Sequence, residues 1–334
     1  MIKKHNSSIA AFQGRLSDYE SIKHDWGDKP YYSLDHYLKK QYGEKIYKIA
    51  LDAGMTCPNR DGRLDTRGCI FCSAGGSGDF ASCGISIHEQ LENGKALFHE
   101  KKTGNRFIAY FQSFTNTYAE PERLEILFTE ALSEPDVVGI SIATRPDCVE
   151  RPVVNLLTKL KQQFPDKFIW IELGLQTIHE KTAQYIRRGY PLSVFEDTLN
   201  RLQKADIPVI VHMILGLPGE NKEMMLSTCR YLSHKNIFGI KLQLLHVLKN
   251  TDLAADFSKK TFEILDLMEY IDIVISCLEV LSPDIVIHRV TGDGPKDLLI
   301  APLWSLNKRN VLNTLHKELR LRETFQGRLF IPDI

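Results

Sequence analysis

Three cysteines in one short loop constrain this chain more than any other feature of its sequence. Eleven residues separate Cys57 from Cys69, and two separate Cys69 from Cys72. Structural zinc sites and electron-transfer clusters commonly fill all four metal positions with protein ligands. Three cysteines on a 4Fe–4S cluster leave one iron open, and an open iron can chelate S-adenosylmethionine (SAM) for reductive cleavage to a 5′-deoxyadenosyl radical. The loop therefore makes radical chemistry the first hypothesis.

Zinc is the alternative to a cluster. A zinc ion in this loop would take its fourth ligand from elsewhere in the chain, such as Cys83 or His88. The loop by itself favours neither metal. The choice between a catalytic cluster and a non-catalytic zinc or iron-sulfur module therefore depends on the rest of the sequence.

The composition indicates a globular protein that needs no polyanionic partner. The chain has 334 residues, 43% of them hydrophobic, and it carries 42 basic against 42 acidic side chains. The cysteine number is odd, three cysteines are clustered as ligands, and the first residues lead into no apolar signal segment, so we predict a cytoplasmic protein. No run approaches the roughly 18 apolar residues of a membrane span, and we expect no membrane partner.

Residues 1–44 are predicted to form a polar N-terminal extension that is dense in aromatic side chains. Ser33 is placed to cap a short helix that runs to about residue 40. Such aromatics either stack on nucleic-acid bases or fix the extension to the body of the protein, and we favour the second interpretation. The aromatics are Tyr19, Trp26, Tyr31, Tyr32, Tyr37 and Tyr42.

Residues 45–300 alternate between apolar strands and amphipathic helices. The predicted strands cover residues 45–51, 106–111, 137–143, 168–175, 208–215 and 239–247. The predicted helices cover residues 87–102, 121–133, 151–164, 179–205 with a break at 189–191, 220–234 and 258–278. Nearly continuous apolar strands are typical of a parallel sheet that helices cover. We predict an α/β fold, a full or partial TIM-like barrel of about six βα units, followed by a C-terminal helical extension over residues 301–334.

Polar residues gather where these strands end, at the same rim as the cysteine loop. Working loops follow the carboxyl ends of the strands in such folds, and buried polar groups need partners or a ligand. A single residue of this kind is more often a structural polar group, but the shared position of the whole set predicts a polar cavity that binds SAM. The candidate contacts are Gln112, Ser113, Arg145, Glu172, Gln176 and His212, and His246 lies at the end of the sixth strand.

Several longer motifs, taken with the cysteine loop, resemble one family. They are Phe-Gln-Ser-Phe-Thr-Asn-Thr-Tyr at 111–118, Ile-Ala-Thr-Arg-Pro-Asp-Cys at 142–148, Glu-Leu-Gly-Leu-Gln-Thr at 172–177, His-Met-Ile-Leu-Gly-Leu-Pro-Gly-Glu at 212–220, Leu-Leu-His-Val-Leu-Lys-Asn-Thr at 244–251 and His-Arg-Val-Thr-Gly-Asp-Gly-Pro at 288–295. Over residues 31–309 the chain is similar to the YhcC/YtqA group of radical SAM proteins. That group is related to the elongator catalytic-subunit-like enzymes.

The resemblance implies which residues hold the cluster. Phe71 corresponds to the aromatic residue that usually precedes the last ligand. Most radical SAM proteins leave three residues between the first two cysteines, whereas eleven intervene here, as in the elongator-like branch where the gap is also long. The usual Gly-Gly-Glu segment, which holds the methionine ammonium group, is replaced by Gln-Ser-Phe-Thr at residues 112–115. The implied cluster ligands are Cys57, Cys69 and Cys72.

The resemblance also implies a substrate. Relatives in the elongator-like branch act on the side chain at position 5 of the tRNA wobble uridine, and members of this group in Gram-positive bacteria are associated with converting carboxymethylaminomethyluridine to aminomethyluridine. We therefore predict tRNA as the substrate and an external one-electron donor of the flavodoxin or ferredoxin type. A radical enzyme that acts on a small molecule or a protein is the alternative.

The C-terminal extension gives mild support for an RNA partner, because its basic residues outnumber its acidic ones. A helix with this balance is also common on an ordinary solvated surface. The basic residues are Lys308, Arg309, Lys317, Arg320, Arg322 and Arg328, and the acidic ones are Glu318, Glu323 and Asp333.

Overall fold

A computed structural model describes residues 26–76, 78, 81, 86–98 and 104–332. Three residues singled out in the sequence, Tyr19, Cys83 and Asp333, lie outside the described residues. None of the helices in the described ranges is long and apolar enough to cross a membrane.

Seven parallel strands form one sheet in the order β1-β2-β3-β4-β5-β6-β8. The two outer strands, β1 and β8, do not pair with each other in the described part of the chain, so the sheet curls into an open half-barrel. The predicted α/β partial barrel is confirmed, with a seventh parallel strand added to the six that were predicted. The strands are β1 Ile46–Leu51, β2 Arg106–Phe111, β3 Val137–Thr144, β4 Phe168–Gln176, β5 Val209–Leu215, β6 Gly239–Leu244, β7 Val247–Leu248, β8 Val286–Arg289 and β9 Leu299–Ala301.

Helices cover the outer face of the half-barrel. They bury apolar side chains such as Phe128, Leu157 and Phe195 against the sheet, and both faces of β3 are fully buried. Burial on two faces explains why the strands are apolar at nearly every position. The helices are α1 Leu34–Tyr42, α2 Ile87–Ala96, α3 Pro121–Ser133, α4 Arg151–Gln163, α5 Glu180–Tyr185, α6 Leu192–Lys204, α7 Lys222–Ser233, α8 Asp252–Ser258, α9 Leu267–Val280 and α10 Lys308–Leu321.

The predicted helix over residues 258–278 has the wrong start, because only residues 267–278 of that range form a continuous helix. The structure has α8 ending at Ser258 and α9 beginning at Leu267, with Lys260 in the left-handed region at φ 56° between them. A capping box starts α9: the Asp266 side chain accepts from the Glu269 backbone N–H at 2.8 Å, and the Glu269 carboxylate accepts from the Asp266 N–H at 2.9 Å. Reciprocal capping of this kind fixes where a helix begins.

Helix α1 closes the amino end of the half-barrel, opposite the cysteine loop. Ser33 caps it as predicted, accepting from the His36 N–H at 3.3 Å. The ring of Tyr37 lies 5.1 Å from Phe238 and 6.3 Å from Trp170, measured between ring centroids. Trp26 and Tyr31 are buried as well. The described aromatics of the N-terminal extension therefore pack on the body of the protein, as favoured from the sequence.

The C-terminal segment packs beside the N-terminal one. The Gln326 side chain donates to the carbonyls of Ser282 and Ile285 at 2.7 and 2.9 Å, and its oxygen accepts from the Tyr32 N–H at 3.0 Å. Helix α10 buries Val311, Leu315 and Leu319 in the main core. Both ends of the chain thus pack against the half-barrel, and the domain boundaries at residues 44 and 300 stay predictions.

Candidate metal centre and cofactor cavity

The cysteine loop follows the carboxyl end of β1 and is held in place by its own side chains. The Arg60 guanidinium donates to the backbone carbonyls of Cys72 and Ser73 at 3.2 and 2.5 Å. The Gly68 N–H donates to the Asn59 carbonyl at 2.7 Å. Gly68 has a φ of 76°, and a Cβ atom there would fall 2.9 Å from Arg60 Nε, so only glycine suits this turn.

The loop also docks on the segment after α5. Asn59 Nδ2 donates to the Arg187 carbonyl at 2.7 Å and to Cys69 Sγ at 3.4 Å. The Ile70 N–H donates to the Ile186 carbonyl at 3.2 Å. Cys57, Cys69 and Cys72 are all half-buried free thiols, and all three line one cavity. The structure therefore brings the three sequence-predicted ligands to one place.

The thiols of Cys69 and Cys72 are close enough to share a proton. A hydrogen bond from Cys72 lowers the pKa of Cys69 to about 6, and Arg145 adds to that effect. The same hydrogen bond raises the pKa of Cys72. One thiolate is therefore available near neutral pH, and the remaining proton is displaced when a metal binds.

No fourth cysteine lines this cavity among the residues that the structure describes. Cys148, Cys229 and Cys277 are buried elsewhere, and Cys229 packs with its sulfur 3.6 Å from that of Met213. His88, one candidate for a fourth zinc ligand, is exposed on α2 with Nδ1 2.5 Å from a Glu134 oxygen. Three thiols without a fourth protein ligand in view suit a cluster with one open iron better than a closed zinc site.

Five of the six predicted SAM contacts surround the same cavity, which has an empty volume of about 1100 Å³ including its mouth. Ser113 is the exception, because its buried Oγ packs against Gly78 and has no hydrogen-bond partner in the described part of the chain. The role of each residue toward SAM stays a prediction. The five that line the cavity are Gln112, Arg145, Glu172, Gln176 and His212.

Gln176 offers the clearest sign that a ligand belongs here. It sits at a β-bulge between β4 and β5 with a φ of 69°, and its Oε1 is buried without a hydrogen-bond partner among the described residues. A buried acceptor without a partner costs about 1 to 3 kcal/mol, so its retention beside a cavity favours a bound donor. The ammonium, ribose and adenine groups of SAM all supply such donors, and the site fits that molecule.

Arg145 forms the wall beside Cys69. Its Nε and Nη2 donate to the two carboxylate oxygens of Asp147 at 2.9 and 2.8 Å. The guanidinium carbon lies 5.1 Å from the centroid of the Tyr190 ring. A planar cation held by a carboxylate and an aromatic face is rigid, so Arg145 presents a fixed positive edge to the cavity.

Glu172 is the centre of a buried ion network in the wall of the cavity. Its Oε1 accepts from Lys48 Nζ at 3.1 Å and from Ser141 Oγ at 2.6 Å, and its Oε2 contacts His212 Nε2 at 2.7 Å and Lys241 Nζ. Burial raises the pKa of Glu172, but Lys241 and Lys48 outweigh that effect and hold it well below its usual range. Four partners already occupy the carboxylate, which therefore acts chiefly on its neighbours.

Two basic side chains of the same network, Lys241 and His212, have lowered pKa values. Burial lowers the pKa of Lys241 to about 7, although Glu172 opposes the effect, and burial lowers the pKa of His212 to about 4. Lys241 Nζ also donates to the Tyr110 hydroxyl at 3.0 Å. His212 is consequently neutral at ordinary pH.

The sequence argument missed several residues that face this cavity. Lys241 and Gln243 alternate with Ile240, Leu242 and Leu244 along β6. Such alternation indicates a strand with one polar face, and it is the sequence pattern from which Lys241 and Gln243 could have been predicted. The missed residues that line the cavity include Tyr110, Arg188, Tyr190, Lys241, Gln243 and Arg289.

Comparison with known proteins identifies the class. The sequence family described as the Radical SAM superfamily matches residues 66–232, which is half of the chain, and the Radical_SAM C-terminal domain matches residues 237–320. The chain belongs to the radical SAM superfamily. Membership implies a 4Fe–4S cluster, SAM and a source of electrons, and the three-cysteine cavity fits that requirement. The superfamily match begins after Cys57, so that ligand rests on its place in the cavity.

Three individual proteins are similar to this chain in sequence or fold. The chain is 43% identical to YtqA of Bacillus subtilis over 304 residues, covering 91% of this chain and 94% of that protein. It is 35% identical to YhcC of Escherichia coli over 298 residues, covering 88% and 95%. A solved structure of Elp3 from Methanocaldococcus infernus is similar in fold, with a TM-score of 0.63 at 15% identity, covering 84% of this chain and 64% of that one. The predicted resemblance to the YhcC/YtqA group is confirmed.

Proposed function

We propose that this radical SAM enzyme modifies the wobble uridine of tRNA, converting a carboxymethylaminomethyl side chain to aminomethyl. The cluster would be held by Cys57, Cys69 and Cys72, and SAM would lie against Arg145 and Gln176. When bound and reduced by a flavodoxin or ferredoxin, these cofactors would supply a 5′-deoxyadenosyl radical that takes a hydrogen atom from the carboxymethyl carbon. Loss of one further electron to the electron carrier would leave an imine, and water would then hydrolyse the imine to the aminomethyl group and glyoxylate. The chain's own part is to hold the cofactors and to orient the base.

The observation that carries the RNA proposal is that the basic helix α10 begins beside the cavity. Lys308, the first residue of α10, pairs with Asp293 at 2.6 Å, and Asp293 lines the outer part of the cavity. Arg309, Lys317 and Arg320 are exposed along the same helix. A nucleotide backbone crossing α10 would therefore reach the mouth of the cavity through a basic surface.

Two other basic residues of the C-terminal extension have a different role. Arg322 pairs with Asp272 at 2.6 Å, and Arg328 pairs with Glu279 at 2.5 Å. Trp304 is half-buried and donates to the Leu265 carbonyl at 3.2 Å. These side chains stabilise the packing of the segment, so the proposed RNA surface is confined to α10.

An anticodon loop suits a cavity of this kind. Its bases are already single-stranded, so placing one of them near the cofactors does not require a duplex to open. The unstacking of one base costs only a few kcal/mol, which contacts to the phosphate backbone can offset.

The experiment is nucleoside mass spectrometry of tRNA from a strain that lacks the gene. We expect carboxymethylaminomethyluridine to accumulate and the aminomethyl product to disappear. The wild-type gene should restore the product, and a Cys72→Ala gene, which should make a chain without a cluster, should not. An unaltered wobble-uridine profile in the deletion strain would refute the RNA assignment and favour a small-molecule or protein substrate.

A further inference from the structure

Positive charge exceeds negative charge around the inner wall of the cavity. Lys48, Lys241 and Arg289 lie close to a single carboxylate, that of Glu172, which contacts both lysines. Lys241, Arg289 and Glu172 line the cavity itself. Glu172 pairs with Lys48, and burial lowers the pKa of Lys241 to about 7, so Arg289 is the cation left without a balancing carboxylate among the described residues. A half-buried cation of this kind indicates a negatively charged ligand.

A β-bulge turns Arg289 toward this cavity. Ile287 on β8 is opposite Ile240 on β6, but the next pair is Arg289 with Lys241, because the register shifts by one residue at His288. Without that extra residue, alternation along β8 would direct Arg289 to the outer face. Bulges commonly re-aim a side chain next to an active site. Arg289 and Lys241 are thus side by side on adjacent strands, roughly 5 Å apart at the backbone.

Arg289 has no counterion in the described part of the chain. No residue there forms a hydrogen bond or an ion pair with its guanidinium group, although the side chain is half-buried. The nearest acidic residue of the outer cavity, Asp293, is engaged by Lys308 at 2.6 Å. His246, also on this wall, does not add charge, because burial lowers its pKa to about 4.

Arg289 lies where the cavity that holds the predicted SAM contacts opens into an outer part. That outer part is lined by Gln243, His246 and Pro295 and lacks Arg145 and Gln176. Phe71, Cys72 and Gln112 border both parts. One molecule against Arg145 and Gln176 therefore leaves the Arg289 wall open to a second molecule.

We propose that Arg289 binds a carboxylate group of the substrate where the cavity opens into its outer part. A guanidinium group suits a planar carboxylate because it can donate two parallel hydrogen bonds. This inference rests on the proposed function, in which the substrate side chain ends in a carboxymethyl group and the product lacks it. Arg289 would therefore distinguish the substrate from its product. The carboxylate of SAM is the other source of the same chemistry, and the test separates the two.

The first arm measures binding to SAM-loaded protein without a reductant, so that no turnover occurs. The ligands are two anticodon stem-loops that carry either carboxymethylaminomethyluridine or aminomethyluridine at the wobble position. We expect the wild-type protein to prefer the carboxylate form by about ten- to a hundredfold, the range for a hydrogen bond to a charged group. Arg289→Gln should lose the preference, and Arg289→Lys should keep part of it. Arg230→Gln, on the exposed face of α7, is the matched control and should keep all of it.

The second arm does not depend on RNA. Phenylglyoxal modifies arginine, and peptide mass spectrometry reports the modified fraction of Arg289. With SAM present, N-methylglycine should protect Arg289, and methylamine, which lacks a carboxylate, should not. Protection by SAM alone would assign the anion site to SAM and overturn the proposal. Absence of protection by N-methylglycine, or a preference that survives in Arg289→Gln, would overturn it as well. If neither stem-loop binds, the proposed function fails while the protection result still decides the role of Arg289.

Discussion

Replacing Glu172 by glutamine should destabilise the protein strongly, because it removes the one carboxylate that neutralises two lysines. The side chain of Glu172 is fully buried and that of Lys241 is 4% exposed. Breaking a buried ion pair by removing one partner costs about 3 to 5 kcal/mol. A chain of 334 residues unfolds with an entropy near 0.7 kcal/mol per kelvin, from about 2.1 cal/mol/K per residue. The unfolding temperature of Glu172→Gln should therefore fall by about 4 to 7 °C.

The assay is differential scanning calorimetry of anaerobically purified protein at one fixed scan rate. Glu223→Gln is the control, because Glu223 forms an exposed pair with Arg230 on α7 and its loss should cost under about 1 kcal/mol. Adding Lys241→Met to Glu172→Gln removes one unpaired cation and should recover part of the loss. An unfolding temperature for Glu172→Gln equal to that of Glu223→Gln would refute the view that these charges are coupled in the core.

Further predictions address the cofactors, the RNA and the response to acid. Alanine at Arg145, Gln176 or His212 should weaken SAM binding by about ten- to a hundredfold with iron content unchanged, and normal affinity in every variant would show that these side chains are structural. Four basic residues of α10 are to be neutralised together: Lys308, Arg309, Lys317 and Arg320. The salt dependence of tRNA binding should then become shallower by up to about four counterions, while SAM cleavage without RNA persists. An unchanged slope would exclude this surface as the RNA-binding site. Because burial lowers the pKa of His246 to about 4, the unfolded chain takes up a proton that the folded chain does not, so stability falls as pH drops from about 6.5 to 4. In urea unfolding, the free energy of unfolding should fall less between about pH 7 and about pH 5 in His246→Gln than in the wild-type protein. An equal fall in the two proteins would contradict the lowered pKa of His246.

The elements whose bounds were predicted best carry clear local signals in the sequence. Strand β2 and helix α3 have the predicted bounds, and α3 opens with Pro121 at its first position, where proline is favoured. The seventh parallel strand was missed because Val286–Arg289 has only four residues and ends in two polar ones. Its place depends on pairing with β6, which is a tertiary interaction that no local pattern reports.

The candidate site could be predicted from the sequence only in part, because it also depends on tertiary interactions. Position after a strand end brought Arg145 and Gln176 to the cavity, since the carboxyl ends of parallel strands share one rim. Ser113 turned away because the chain after β2 places it against Gly78, and sequence position alone does not reveal that direction. Arg289 reaches the inner face only through the bulge at His288, and a bulge changes which face a residue occupies without changing its sequence pattern.

The most direct test of the central claim is Mössbauer spectroscopy of the isotopically enriched cluster, recorded anaerobically with and without SAM. If Cys57, Cys69 and Cys72 are the only protein ligands, one iron of the 4Fe–4S cluster differs from the other three, and its signal alone shifts when SAM is added. The same change should appear in Cys83→Ala and Cys148→Ala, because neither residue is a predicted ligand. Four equivalent irons that do not respond to SAM, or loss of the cluster in Cys83→Ala, would contradict the open-iron site on which the proposed chemistry depends.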